Sequence, residues 1–323
     1  MSDDIQFDTA KVIADLRDHL ARHDKPIAFL FGAGTSCAVS KVVAAGDATS
    51  PLIPAVAGLT EICKTAVQAL GEGFTNAWSG VEKQCKEVSQ QPHIENILSR
   101  VRLIVSAIGS TDKLLGLDKQ SFIKIEKTIR ATIARTVNPS LDLIPKDTPH
   151  RNFAKWLARA TRENPVEIFT VNYDILIENA LEAERIPIFD GFVGSFHPFF
   201  YPETLRRSEY APGSNWVRLW KLHGSVTWRR DSYEGESRII RGAPDNSGEM
   251  ILPSFEKYDE SRQQPYSAYL ERLGRFVDLD DSLLVTAGFS FGDDPVVSQR
   301  YSNRISCLSE MCSMSLITAC ASN

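Results

Sequence analysis

The distribution of apolar residues along the chain predicts an α/β protein. Residues 26–31 (PIAFLF) form a short continuous apolar run that ends in a Gly-rich turn, which is typical of a buried parallel strand. Comparable runs cover residues 166–171, 217–222 and 282–287, and patterns with helical spacing lie between them. This alternation predicts a Rossmann-like, doubly wound sheet whose strands are mainly parallel.

Much of the helical pattern lies between the first and the second of these strands. Residues 91–109 and 121–134 have apolar side chains along one broad face, as amphipathic helices do. Glycine and serine residues between Gly71 and Gly80 indicate a loop inside this section. We therefore expect residues 37–149 to form a helical insertion.

The Rossmann-like domain is then expected to comprise residues 1–36 and 150–323, on either side of the insertion. Its further helices are predicted at residues 9–22, 150–162, 174–183, 266–277 and 295–308, and two weaker strands at residues 225–229 and 315–319. A polar, Gly-rich section at residues 232–249 has no predicted element.

Composition limits the class of protein. The chain has 323 residues, of which 43% are hydrophobic, and its formal net charge is −5. A mildly acidic chain without a dense Lys/Arg block gives no electrostatic reason for direct nucleic-acid binding. The N-terminal segment is acidic and no apolar run is long enough to span a bilayer, so we expect a cytoplasmic protein that does not enter a membrane.

The cysteines do not form a metal-binding pattern. None of the six belongs to a C-x-x-C pair, whereas a structural zinc site usually has two such pairs. In a large chain without a secretory signal they are expected to be reduced thiols. We therefore expect no metal site, and no zinc in particular.

A Gly-rich turn follows the first predicted strand. Its residues are Gly32, Ala33, Gly34, Thr35 and Ser36. Glycines let the backbone approach a ligand closely, and the start of the following helix offers free amide groups to a phosphate. A standard dinucleotide fingerprint would have a third glycine where this chain has Cys37, so a purely structural turn is an alternative.

Polar residues also follow the next two strands. Asn172 and Asp174 come directly after the second strand, where side chains at the carboxyl end of a parallel strand point into a ligand crevice. The alternative for Asp174 is that it caps the next helix. His223, which Gly224 follows, ends the third strand and is a candidate general base, with a buried structural histidine as the alternative.

The fourth polar turn follows the strand at residues 282–287. The backbone at Gly288 and the hydroxyl of Ser290 are suited to contacts with ribose or phosphate groups. Asp293 or Asp294 is better explained as the cap of a following helix. Four polar turns at the carboxyl ends of four strands predict a single site.

Together these motifs resemble the sirtuin (silent information regulator) family, in a bacterial branch that lacks the zinc ribbon and hydrolyses NAD. The resemblance rests on GAGTS at 32–36, TVNYD at 170–174, LHGS at 222–225 and GFSFGDDP at 288–295, with a Pro-centred segment at 251–257. Four features depart from the family pattern. The TQN triad reads TVN, Tyr173 stands between Asn172 and Asp174, a long helical section follows the Gly-rich turn, and the paired cysteines of the zinc ribbon are missing.

The resemblance implies a site for NAD as substrate. The turn at residues 32–36 would hold the pyrophosphate, and Asn172 would contact the nicotinamide ribose and place the attacking water. Asp174 would bind the carboxamide of nicotinamide, His223 would be the catalytic base, and Ser290 would contact the adenosine ribose or a phosphate.

Three functions are consistent with this sequence. The first is an NAD glycohydrolase that produces nicotinamide and ADP-ribose, as an anti-phage defence effector that depletes NAD. The second is an NAD-dependent protein deacylase or ADP-ribosyltransferase, and the third is a non-catalytic module that senses NAD or ADP-ribose. The resemblance also implies a homo-oligomer and a partner, such as a HerA-like ATPase or another defence protein. Because the zinc-ribbon cysteines are missing, water is favoured over acyl-lysine as the acceptor.

Overall fold

The computed structural model describes residues 9–42, 49–244, 249–251, 262–289 and 315–319. Its helices are α1 (Thr9–Ala21), α2 (Ala33–Cys37), α3 (Val56–Gln68), α4 (Glu72–Glu87), α5 (Ile94–Ala107), α6 (Lys119–Thr136), α7 (Pro149–Leu157), α8 (Leu176–Ala183), α9 (Glu203–Arg206) and α10 (Tyr266–Val277). Its strands are β1 (Ile27–Phe31), β2 (Ser40–Val42), β3 (Thr49–Pro51), β4 (Glu167–Thr170), β5 (Ile188–Phe189), β6 (Phe192–Val193), β7 (Phe199–Phe200), β8 (Val217–Lys221), β9 (Trp228–Tyr233), β10 (Glu236–Arg241), β11 (Leu283–Ala287) and β12 (Ser315–Ala319).

Six of the described strands form one parallel sheet, in the order β12-β11-β1-β4-β8-β5. Every pair of neighbours in this sheet is parallel. The residues of β1 are all buried, as expected for a strand that helices cover on both faces. The predicted Rossmann-like α/β fold with a mainly parallel sheet is therefore confirmed.

Alternate side chains of β1 enter two different cores, because successive residues of a strand point to opposite faces. Ala28 and Leu30 pack in a core that includes α10. Ile27, Phe29 and Phe31 pack on the other face, in a core that includes α7 and α8. The continuous apolar run at residues 26–31 thus reflects burial on both sides of the sheet.

Helices α3 to α6 lie between β1 and β4 in the chain and surround a third core, to which Leu176, Val226 and Met250 also contribute. Trp78, Phe122 and Ile129 in this core are at most 1% exposed. The helical character of the section agrees with the sequence, because the apolar faces of these helices cover one another. The limits of the insertion at residues 37–149 stay a prediction.

The loop predicted between Gly71 and Gly80 is wrong, since α4 occupies Glu72–Glu87. Gly71 precedes the helix with a φ of 131°, a backbone conformation that favours glycine, so it marks the start of the helix. Gly80 lies within the helix, where a Cβ would be 2.7 Å from Cδ2 of Leu115. Close packing therefore outweighs the low helix propensity of glycine here.

A second, antiparallel sheet with the order β6-β7-β10-β9 occupies much of the section that had no predicted element. The strand predicted at residues 225–229 begins only at Trp228. Glu234 and Gly235 have φ values of 53° and 85°, as in a tight two-residue hairpin turn between β9 and β10. The polar, Gly-rich section at residues 232–249 thus contains a hairpin that the sequence analysis did not predict.

Elements near the end of the chain follow the sequence closely. The helix predicted at residues 266–277 and the strand predicted at residues 315–319 coincide with α10 and β12. The helix predicted at residues 295–308 lies outside the described residues.

Candidate functional site

The carboxyl ends of β1, β4, β8 and β11 meet at one edge of the parallel sheet. The chain leaves β1 to reach β4 on one side, whereas β11 lies on the other side of β1. In open α/β sheets, a crevice at such a switch point is the usual place for a ligand. The predicted turns therefore share the edge at which ligands bind in this class of fold.

The Gly-rich turn packs directly on the turn that follows β11. The amide of Gly34 donates to the carbonyl of Gly288 at 2.9 Å, and the amide of Gly32 donates to the carbonyl of Ala287 at 3.0 Å. A Cβ on Gly32 would lie 2.4 Å from the Gly288 oxygen, and one on Gly34 would lie 2.7 Å from the Gly288 Cα. The glycines are thus required for the contact between two turns, which is the structural alternative given above.

The side-chain amide of Asn172 is tied to the Gly-rich turn. Its Nδ2 lies 2.9 Å from the Gly32 oxygen, 3.0 Å from Thr35 Oγ1 and 2.8 Å from Ser36 Oγ. Because two N–H groups serve these three acceptors, the amide nitrogen is fully used within the protein. The amide oxygen makes no hydrogen bond with another described residue, so it is the atom that is left for a ligand or a water.

Asp174 is buried, and both of its carboxylate oxygens have partners. Ser36 Oγ donates to one oxygen at 2.5 Å, and the amide of Leu176 donates to the other at 2.9 Å. The second bond satisfies an amide at the start of α8, so the capping alternative is present in the structure. A contact between Asp174 and nicotinamide stays a prediction.

Lys221 holds the main chain of the turn at residues 173–174. Its side chain is 3% exposed, and its ammonium donates to the carbonyl oxygens of Asp174 and Tyr173 and pairs with Glu178 at 2.7 Å. Burial raises the pKa of Glu178, and Lys221 opposes that shift. The sequence analysis gave Lys221 no role, although a lysine at the end of an apolar strand was the available signal.

His223 is 6% exposed and lies beside another segment of chain. The amide of Ile251 donates to the His223 carbonyl at 2.8 Å, and the hydroxyl of Tyr173 donates to the Ile251 carbonyl at 2.5 Å. Gly224 has a φ of 90°, and a Cβ there would lie 2.2 Å from the Glu249 oxygen. The glycine after the histidine therefore allows the close backbone approach that the sequence indicated.

The turns surround a cavity of about 340 Å³. The candidate site residues that line it are Ala33, Gly34, Ser36, Asn172, Asp174, His223 and Gly288. Gly32 and Thr35 lie behind this lining, where the Thr35 hydroxyl donates to the Gly32 carbonyl at 2.8 Å. Ser290 lies outside the described residues. An amide and a carboxylate from the turn after β4 and an imidazole from the turn after β8 thus border one cavity.

The opposite wall of the cavity comes from the helical section. Its members are Ile53, Pro54, Ala55, Val56, Leu59, Ile94, Glu95 and Val137. This wall is mostly apolar, with Glu95 as its charged member. Sequence reasoning missed it, because helical spacing shows which face of a helix is apolar but not which distant turn the helix will meet.

Two further side chains at the site had no role in the sequence analysis. Cys37 lines the cavity, and burial raises the pKa of its thiol, with the charge of Asp174 as a second cause. His150 is 6% exposed and borders a small void together with Thr35, Asn172 and Asp174. Burial lowers the pKa of His150, and the Asp174 carboxylate opposes that shift.

Taken together, the parallel sheet and its polar cavity define a Rossmann-like α/β protein with a candidate ligand site at the carboxyl edge of the sheet. Residues 166–304 match the family model of the SIR2-like domain. This match supports the predicted resemblance to the sirtuin family, and the SIR2-like domain suggests NAD binding and an NAD-related function. The branch within the family stays a prediction. No curated protein matches the chain.

Two negative findings apply to the described part of the chain. It contains no group of three or more His, Cys, Asp or Glu side chains placed to hold a metal ion. None of its helices combines the length and the apolar character that are needed to cross a membrane.

Proposed function

We propose that this protein is an NAD glycohydrolase, which cleaves NAD to nicotinamide and ADP-ribose. The observation behind the proposal is that Asn172, Asp174 and His223, from the turns after β4 and β8, line one cavity at the carboxyl edge of the sheet. The volume of about 340 Å³ falls within the usual range of small-molecule sites. The SIR2-like domain supports NAD as the ligand.

In the proposed reaction, the bond between the nicotinamide nitrogen and C1′ of the ribose breaks, and its electron pair returns to the pyridine ring. The oxygen of a water molecule then bonds to C1′, and His223 accepts a proton from that water. The Asn172 oxygen is the atom that orients the water, since the nitrogen of the same amide is held by the Gly-rich turn. General-base catalysis of this kind contributes about 10²- to 10⁴-fold to the rate.

In the proposed complex, Asp174 supplies negative charge on the wall of the cavity. The nicotinamide ring of NAD is cationic and C1′ gains positive charge as the bond breaks, so a nearby carboxylate favours both. The turn at residues 32–36 holds the pyrophosphate, with Ala33, Gly34 and Ser36 on the cavity side. The Gly288 backbone borders the same space. Ser290, which lies outside the described residues, is proposed to contact the adenosine ribose or a phosphate.

Water is the proposed acceptor, and depletion of NAD is the proposed biological effect. None of the cysteines forms the C-x-x-C pairs of the zinc ribbon that protein-deacetylating sirtuins carry, which argues against acyl-lysine as the acceptor. Within this proposal the enzyme is a cytoplasmic anti-phage effector. It forms a homo-oligomer and is controlled by a partner, such as a HerA-like ATPase or another defence protein.

Incubation of the purified protein with NAD, followed by chromatography of the products, tests the proposal. We expect nicotinamide and ADP-ribose in equal amounts, and at least a hundredfold loss of rate in both N172A and H223A. The matched controls are N152A and H197A, which replace exposed residues away from the cavity and are expected to keep the wild-type rate. Circular dichroism and thermal unfolding check that each variant folds.

The other two functions give different results in the same assay. Turnover that requires an acylated peptide indicates a deacylase, and transfer of ADP-ribose to a protein indicates a transferase. Binding of NAD by calorimetry without any product indicates a sensor module. Hydrolysis that survives both N172A and H223A contradicts the assignment of these residues.

A further inference from the structure

A buried histidine lies on the inner side of the proposed NAD site, and the mechanism above does not use it. His150 is the second residue of α7, after Pro149, and its side chain is 6% exposed. Its Nδ1 is buried and makes no hydrogen bond with another described residue. A buried polar atom without a partner is costly, so its presence beside a candidate site needs an explanation.

The surroundings of His150 are dry and nearly uncharged. The described residues that share its void are Phe31, Thr35, Thr170, Asn172, Asp174 and Ile177, and the void has no room for a water molecule. Asp174 is the one carboxylate or cation among them. Arg151, the next residue on α7, is paired with Glu184.

This setting makes the charge of His150 depend on Asp174. Burial lowers the pKa of His150, and the Asp174 carboxylate opposes that shift, so the two groups are electrostatically linked. The start of α7 also disfavours a cation, because the positive end of the helix dipole lies there. The ring is therefore neutral at neutral pH, and when it gains a proton its only nearby counter-charge among the described residues is Asp174.

We propose that His150 is a positioning residue for Asp174. As a neutral imidazole it packs against the turns that carry Asn172 and Asp174 and leaves the carboxylate charge to act on the cavity. As an imidazolium it neutralises that carboxylate from behind, and the site then loses the negative charge that faces the cationic nicotinamide. This inference rests on the proposed NAD chemistry for its catalytic consequence, but not for the link between His150 and Asp174.

The link predicts how the stability of the protein depends on pH. The pKa of His150 in the folded state lies below its unfolded value of about 6.5, so the unfolded chain takes up a proton first as the pH falls. The contribution of His150 to stability is present above pH ~6.5 and is lost as the pH falls from there toward the folded pKa. Within this range, the unfolding constant rises by at most about tenfold for each pH unit.

The first measurement is urea unfolding of wild type and H150Q between pH 7.5 and pH 5.5. Gln keeps a neutral polar side chain of similar reach but does not titrate. Over this range, titration of His150 is expected to change the unfolding constant of wild type by up to about tenfold. We expect this contribution to be missing in H150Q. The control is H93Q, which replaces an exposed histidine at the start of α5 and is expected to behave as wild type. If H150Q does not fold, H150N replaces it.

The second measurement separates positioning from a purely structural role. In wild type, protonation of His150 contributes to the fall of kcat/KM at acid pH, so the logarithm of kcat/KM falls steeply between pH 7.5 and pH 5.5. In H150Q this contribution is missing, and the slope is smaller. An unchanged slope in H150Q overturns the proposal, even if the variant is less stable.

Failure of the proposed function gives a different result. If wild type does not hydrolyse NAD at any pH, the NAD glycohydrolase assignment fails, and the pH dependence of NAD binding by calorimetry takes the place of kcat/KM. The role of His150 is supported if wild type binds NAD more weakly at pH 5.5 than at pH 7.5 and if this difference is smaller in H150Q. Equal pH dependence of NAD binding in wild type and H150Q overturns it.

Discussion

The cavity has two walls that differ in how they are built. The wall at the carboxyl edge of the sheet consists of short turns, whose positions are fixed by close glycine contacts, by the Asn172 amide and by the Lys221 ammonium. The wall from α3, α5 and the segments next to them consists mostly of apolar side chains. The first wall has the polar groups that chemistry requires, and the second sets the shape of the space in front of them.

The two walls also differ in the cores that support them. The sheet wall rests mainly on the two cores on either face of β1, whereas α3 to α6 surround a third core, which Leu176, Val226 and Met250 join from the side of the sheet. Changes in the sheet wall should therefore affect the chemistry and the fold of the site together. Changes in the helical wall should affect mainly how well a ligand fits.

Removal of the Lys221 ammonium, which supports the sheet wall, is expected to have the largest effect on the free energy of unfolding. In K221M the carbonyls of the turn at residues 173–174 lose their donor, and Glu178 becomes a buried acid without its cation. We expect a loss of about 3–5 kcal/mol in the free energy of unfolding, because breaking one half of a buried ion pair leaves an uncompensated charge. Urea unfolding measures this loss.

Two companion variants show whether the pair is the cause. The double variant K221M/E178Q removes both charges and should recover part of the lost stability. The control K83M breaks an exposed pair between Lys83 and Glu87 and should change the free energy of unfolding by less than about 1 kcal/mol. Equal effects of K221M and K83M contradict the bracing role of Lys221.

The next largest effect on the free energy of unfolding is expected at Gly288, where the turn after β11 contacts the Gly-rich turn. Gly288 has a φ of 62°, and a Cβ there would lie 2.4 Å from the amide nitrogen of Thr35. We expect G288A to lower the free energy of unfolding by about 2–3 kcal/mol, through backbone strain and displacement of the Gly-rich turn. In G213A the new Cβ meets nothing within 4 Å, so this variant is the control in the same thermal unfolding assay.

Wild-type stability of G288A is the result that contradicts this prediction. It would mean that the two turns can separate without cost, and that the Gly-rich turn is not held by its neighbour. If G288A folds but binds NAD less well, the contact serves mainly to place the turn.

A change in the helical wall should alter binding rather than chemistry. Leu59 of α3 lines the cavity, and L59A removes apolar surface that faces a ligand. We expect the KM for NAD to rise about 3- to 10-fold with kcat within about twofold, as for an interaction that is equal in the ground state and the transition state. The control is L103A on α5, where the side chain is 50% exposed.

A result with a lower kcat and an unchanged KM contradicts the division of work between the two walls. It would show that Leu59 acts on the reacting atoms or on the turns that hold them. Steady-state kinetics over a range of NAD concentrations distinguishes the two outcomes.

The sheet wall was predictable from the sequence because its signals are local. A buried apolar run followed by Gly, Asn, Asp or His identifies both a strand and its carboxyl end, and parallel pairing brings such ends together. Asn172 and His223 were located in this way before their contacts were known. The two roles of Asp174 were also both foreseeable, since a carboxylate at a helix start can cap the helix and still face a crevice.

The helical wall was not predictable because its signals are not local. The spacing of apolar residues gives the faces of α3 and α5, but the packing of those helices against the sheet depends on contacts far apart in the chain. Gly80 shows the same limit, since its close contact is with Leu115, a residue of the turn between α5 and α6 that lies far from it in the chain. His150 was missed because nothing near it in sequence indicates that it lies behind Asp174.

The smallest expected effect is on the labelling rates of two thiols, one at the cavity and one in the helical core. Cys37 is half-buried and lines the cavity, whereas Cys63 lies in the helical core, where burial raises its pKa to about 12. A thiol reacts as the thiolate, so Cys63 should be nearly inert to N-ethylmaleimide and Cys37 should react slowly. Peptide mass spectrometry after timed labelling measures each site separately.

Occupation of the cavity should then slow the labelling of Cys37 alone. A saturating amount of NAD, or of ADP-ribose if NAD is consumed, is expected to lower the rate at Cys37 several-fold and leave the rate at Cys63 unchanged. Equal protection of both thiols indicates that the ligand stabilises the whole fold rather than covering Cys37. Absence of protection at Cys37 contradicts the placement of the dinucleotide in this cavity, because the Cys37 side chain borders the space between the two walls.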